Sequence, residues 1–69
     1  MKRCIIEKST GNICVIHEIE YPEDYDFKPE PNQEIKILDN FSSVNNIELT
    51  DLVDNYRFDF SLGDFVLKN

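Results

Sequence analysis

Few residues of this chain have the types and spacing that catalysis or metal binding requires. His17 is the only histidine, and Cys4 and Cys14 are the only cysteines. A Cys–His pair can serve as nucleophile and base, or as two metal ligands. A hairpin that brings Cys4 across from His17 would create such a pair. A structural zinc site, however, takes four ligands at recognisable spacing. An activated thiol needs an electropositive setting, whereas this chain has 14 acidic against 7 basic residues, a net charge of −7. His17 therefore reads as a packed or edge histidine, and the cysteines as two buried free thiols. Asp24 and Asp26, with Glu23 and Glu30 near, begin like a calcium loop. A loop started at Asp24 would place Pro29 and Ile35 where glycine and glutamate are needed, and both fail. The same acids do not define a hydrolytic carboxylate pair, since almost any acidic loop offers two. No phosphate loop, dinucleotide fingerprint, nucleophile elbow or metalloprotease motif occurs. The expectation is a protein that is not an enzyme, with no cofactor and no metal site.

Chemistry of another kind lies in the segment Tyr21–Gln33. It contains all three prolines of the chain. Each proline lacks a ladder donor and holds its predecessor extended, so the segment reads as an irregular loop over 21–33. Loops of this length in small domains are usually functional or disordered. Tyr21, Tyr25 and Phe27 alternate there with Glu23, Asp24 and Asp26, and Glu30 follows. Exposed aromatics beside acids make a contact surface, and these seven residues are the candidate partner-binding set; the competing reading is that the three rings fold back to cover one end of the sheet. Residues 18–39 hold eight acids against Lys28 and Lys36. Direct nucleic-acid binding is not expected, because phosphate contacts need clustered Lys and Arg. The acids read either as a solvated surface or as a face that docks on a basic protein. No membrane association is expected. The first apolar run, Cys4-Ile5-Ile6, ends at Glu7, short of the ~7–15 residues of a signal peptide and the ~18 of a membrane span.

The elements that must position these residues are mostly strands. Alanine is absent, and Ile and Val outnumber Leu by 12 to 5, which favours strand over helix. The chain reads as one small domain over 1–69. Arg3–Lys8 and Ile13–Glu20 form a hairpin around Ser9-Thr10-Gly11-Asn12, with glycine supplying positive φ. If partners sum to 21, Cys4, Ile6, Ile13, Val15, His17 and Ile19 share the core face. Arg3, Ile5, Glu7, Cys14, Ile16, Glu18 and Glu20 then take the other, and the cysteines point apart, which excludes a disulfide. Glu34–Asp39 reads as a third strand and 40–46 as a polar loop with two apolar anchors. Leu49, Leu52, Val53 and Tyr56 fall at helical spacing, so a short helix is expected over Ile47–Asn55, capped by Asn45 with Glu48. Tyr56–Phe60 alternates aromatic with charged residues, a half-buried strand with three rings on one face. Ser61-Leu62-Gly63-Asp64 turns, and Phe65-Val66-Leu67 is the last strand. The fold class is mainly β (α+β): a small antiparallel sheet of about five strands in the order β-β-β-α-β-β.

Two stretches carry a resemblance. One is the opening Cys4-Ile5-Ile6-Glu7-Lys8-Ser9-Thr10-Gly11-Asn12-Ile13 with the acidic Pro/Tyr loop after it. The other is the ending Asn55-Tyr56-Arg57-Phe58-Asp59 with Gly63-Asp64-Phe65-Val66. Together they look like short proteins of unknown role encoded in bacteriophage genomes near tail or accessory genes, although the Trp common in such chains is missing. The resemblance implies a phage or mobile-element origin, hence a host-cytoplasmic or virion location, and little about activity. The reading that follows is a non-catalytic, acidic structural or interaction protein that docks on a larger assembly, such as a capsid or tail. The alternative is a phage-encoded inhibitor whose acidic surface imitates nucleic acid and occupies a host nucleic-acid-binding protein. The chain lies below the ~70–80 residues at which one core comfortably stabilises itself, so partner contacts or homo-oligomerisation would add burial.

Overall fold

The computed structural model describes residues 1–20 and 28–68 of the protein. The β-branched runs at the start of the chain form β1 (Lys2–Glu7) and β2 (Ile13–Glu18). β3 (Gln33–Ile37) follows, then two short 3-10 turns at Leu38–Asn40 and Ser42–Val44. α1 (Leu49–Asn55), β4 (Tyr56–Asp59) and β5 (Asp64–Leu67) complete the order β-β-β-α-β-β. The expected five strands divide between two antiparallel sheets, one ordered β2-β1-β3 and the other pairing β4 with β5.

The hairpin register differs from the expected one. Partners sum to 20, as in Arg3↔His17 and Cys4↔Ile16, until a shift between Ile5 and Ile6 brings Ile13 opposite Ile6. The extra residue of this bulge is Cys14. The bulge lets Cys4, Ile6 and Ile13 stay on the core side as expected, but with Ile16 beside them rather than Val15 and His17. The opposite side of β1 is not a solvent face. Ile5 is 1% and Arg3 4% exposed. A central strand buried on both sides reads as an unbroken apolar run, which is what Cys4-Ile5-Ile6 is.

The main core lies between the two sheets and joins Cys4, Ile6, Ile13, Leu38, Val44, Leu52, Phe58 and Phe65. Phe41, Phe58 and Phe65 meet edge to face with ring centres 5.1–5.7 Å apart, the favoured geometry for aromatic rings. The polar stretch 40–46 supplies Val44 to this core and the partly buried Phe41 packed against it. The 3-10 turns also explain the later helix start. The N–H of Asn45 donates to the Ser42 carbonyl and closes the second turn, so Asn45 is not the helix cap. Glu48 takes the N-cap place, without a side-chain bond.

The sheets are joined at Gly11. Its N–H donates to the Glu7 carbonyl at 2.7 Å, and its carbonyl accepts from the Phe58 N–H at 2.8 Å. An isolated antiparallel bridge pairs Asn12 with Arg57 beside it. Gly11 has φ +78°, and Gly63 in the β4–β5 turn has φ +70°, the left-handed values the two turns were expected to need.

Candidate functional site

The residues that could have formed a catalytic pair are kept apart. His17 lies across from Arg3, not Cys4, because of the register. Its Nδ1 accepts from the Arg3 Nη2 at 2.9 Å and from Nε at 3.3 Å. Cys4 is fully buried, and burial, with a smaller contribution from the charge of Cys14, pushes its thiol up to about 12. A thiol in that state is inert as a nucleophile. Cys14 is exposed, contrary to the expectation of two buried thiols, because the bulge turns it out of the ladder. Both cysteines are free. Among the described residues, no three His, Cys, Asp or Glu side chains converge as metal ligands, and every buried side-chain polar atom has a partner.

The candidate contact residues Tyr21, Glu23, Asp24, Tyr25, Asp26 and Phe27 lie outside the described residues. Glu30 is exposed, and its backbone is anchored to Gln33. Its N–H donates to the Gln33 side-chain oxygen at 3.0 Å, and its carbonyl accepts from the Gln33 N–H at 2.9 Å.

Elsewhere the described acids range from half-buried, as at Glu34 and Asp59, to exposed, as at Glu18. Ion pairs join Glu18 to Lys2 and the terminal amine, Glu34 to Lys36, and Asp59 to Arg57. Glu48, Asp51 and Asp54, along α1, have no cation within bonding distance among the described residues. Asp39 accepts from the Lys2 N–H at 2.9 Å. That bond, aided by the nearby amine and Lys2 charges, holds its carboxyl below the usual carboxylate range despite some desolvation.

Two surface features lie outside the expected contact set. One is the tip of the β4–β5 hairpin. Leu62 is 70% and Phe60 43% exposed. The tip is fixed by Asp59, whose Oδ1 accepts from the Ser61 and Leu62 N–H groups at 2.8 and 3.0 Å, while its carbonyl accepts from the Gly63 N–H. The Phe60 ring rests edge-on against Phe58 at 5.0 Å. Reading Tyr56–Phe60 as a strand counted Phe60 as an inward ring. The strand ends at Asp59, and Phe60 belongs to the turn. The available signal was Leu62 itself, a large apolar residue where turns ordinarily carry polar ones. The second feature is a cavity of about 310 Å³ beside α1, with Leu38, Val44 and Leu52 in its wall and Lys2, Asp39 and Glu48 among its polar lining. No family model, no curated protein and no solved structure matches this chain. No helix among the described residues is long and apolar enough to cross a membrane.

Proposed function

We propose that this is a non-catalytic interaction protein that docks on a larger protein assembly through a preformed apolar contact. The observation that carries the reading is the hairpin tip. A large side chain held in water by a rigid turn has no folding role there, yet it loses little freedom on entering a pocket, which is how contact anchors gain affinity. A phage virion, capsid or tail, is the proposed setting, and it rests on the resemblance of the chain ends alone. Tyr21, Tyr25, Phe27 and their acidic neighbours belong to the same proposal as further contact residues. A net charge of −7 argues for a protein partner over nucleic acid or an anionic bilayer, both of which it repels.

A second reading is favoured by the exposed acids at and beside α1, which have no cation partner among the described residues: an inhibitor that presents Glu48, Asp51 and Asp54 to a basic groove. Parallel captures from extract with Leu62→Asp and with Asp51→Asn/Asp54→Asn separate the two. Loss of the captured protein with the first variant only supports apolar docking. Loss with the second only, at low salt and not at high, supports mimicry. Capture unaffected by either change overturns both readings.

A further inference from the structure

We infer that β3 is a self-recognition edge, through which a second copy of this chain adds antiparallel to form a continuous six-stranded sheet. The inference is independent of the docking proposal. In the β2-β1-β3 sheet, β3 is an outer strand, and among the described residues no strand pairs with its far side. The ladder fixes which of its groups face outward. The Lys8 N–H bonds the Asn32 carbonyl, one step beyond the Glu7↔Gln33 pair. Hydrogen-bonded pairs alternate along an antiparallel ladder. Glu34 and Lys36 therefore bond inward to Ile6 and Cys4, and the backbone groups of Gln33, Ile35 and Ile37 point outward. Two of those are already engaged. The Gln33 N–H donates to Glu30, and the Ile37 carbonyl, as N-cap, opens the 3-10 turn that follows. Among the described residues, the groups left open are the Ile35 N–H and carbonyl, the Gln33 carbonyl and the Ile37 N–H.

This set is its own complement under a two-fold axis at Ile35. The Ile35 N–H of each copy donates to the Ile35 carbonyl of the other, and the Ile37 N–H to the Gln33 carbonyl of the second copy. Each open donor finds an open acceptor, and neither engaged group is called upon. The side chains agree with the backbone. Centring on Ile35 sets Glu34 against Lys36 of the second copy and Lys36 against Glu34 of the second copy. These are non-hydrogen-bonded pairs, whose side chains stand closest across a ladder. Within one chain Lys36 already bonds Glu34 at 2.8 Å, so pairing closes a ring of alternating charges. A lysine on an edge strand ordinarily repels a second strand, but here the glutamate two residues before it cancels that protection. Ile35 meets Ile35 on the other face. The competing edge, β2, is blunted by its bulge at Cys14 and by the Asn12–Arg57 bridge.

Sedimentation equilibrium of the purified chain from about 10 μM to 1 mM, the range expected of so small an interface, tests this. The expected result is a reversible rise toward twice the 8.1 kDa of one chain. Lys36→Glu sets glutamates opposite each other and weakens the dimer about tenfold or more. Glu34→Lys does the same with lysines. The double variant, Glu34→Lys/Lys36→Glu, restores association. Ile35→Pro removes the central donor at an outward position that edge strands tolerate, and leaves a folded monomer. A chain that is monomeric throughout, or a dimer indifferent to both single charge changes, overturns the inference.

Discussion

Replacing Gly11 by alanine should cost this protein most or all of its stability, while the same change at Gly63 should be modest. Both glycines have positive φ, at +78° and +70°. An L-residue there loses roughly 1–2 kcal/mol. At Gly63 nothing lies within 4 Å of the added methyl, so that loss is the whole effect. At Gly11 the methyl would sit 2.1 Å from the Phe58 carbonyl oxygen, 3.1 Å from its carbon and 3.3 Å from its nitrogen. All three are backbone atoms, so no side chain can swing away. Relief requires the sheets to part by more than an ångström at their joint, which breaks the 2.8 Å bond from the Phe58 N–H to Gly11. A buried donor left without a partner costs about 1–3 kcal/mol. With the φ penalty the total is about 2–5 kcal/mol, comparable with the ~3–5 kcal/mol that a single core of this size rarely exceeds. Urea titrations of both variants followed by far-UV circular dichroism measure the difference. Gly63→Ala should unfold cooperatively with a slightly lowered midpoint, and Gly11→Ala should be unfolded or nearly so without urea. Two variants equal within about 0.5 kcal/mol, an ordinary surface difference, would refute the argument that the sheets meet at backbone contact.

Thiol labelling should separate the cysteines: Cys14 reacts at the rate of an open thiol, and Cys4 reacts about 100-fold or more slowly, at a rate set by unfolding. Equal rates for the two would contradict the burial of Cys4. The raised Cys4 pKa also favours the folded state below about pH 9, and that contribution disappears as the pH rises toward 12, where the folded thiol titrates. Removing it with Cys4→Ala should flatten the alkaline limb of a stability–pH curve while lowering stability at neutral pH. Asp39 works in the opposite direction. Its depressed pKa contributes stability above the ordinary carboxylate range and loses it as the pH falls through the folded value, so Asp39→Asn should flatten the acid limb below about pH 4. Leu62→Asp should shift the urea midpoint by less than about 0.5 kcal/mol of stability, because the side chain is mostly exposed to water.

Element order was legible because each strand here carries its own local signal. The turn glycines Gly11 and Gly63 punctuate the hairpins, and Tyr56–Phe60 alternates. The register was not, because a bulge is a decision between whole faces of a sheet. Moving one residue, Cys14, out of the ladder packs a half-buried Ile16 against the core and turns His17 toward Arg3, and no short window contains that comparison. The burial of β1 on both sides was visible in Cys4-Ile5-Ile6, but alternation was the wrong template for a central strand. Division into two sheets depends on the close approach of Gly11 to Phe58, far apart in sequence. The hairpin tip was partly legible, since Leu62 departs from turn chemistry. Its rigidity comes from Asp59 bonding both N–H groups, and that required the structure.

The central claim, that the chain docks through its β4–β5 tip, is tested most directly by a photo-crosslinking residue placed at position 62 in the full chain and irradiated in native extract. One dominant protein adduct is expected, suppressed by excess unlabelled wild-type chain and not by the Leu62→Asp variant. An adduct pattern no different from that of a probe at exposed Thr50, or one that Leu62→Asp suppresses equally well, would contradict the claim.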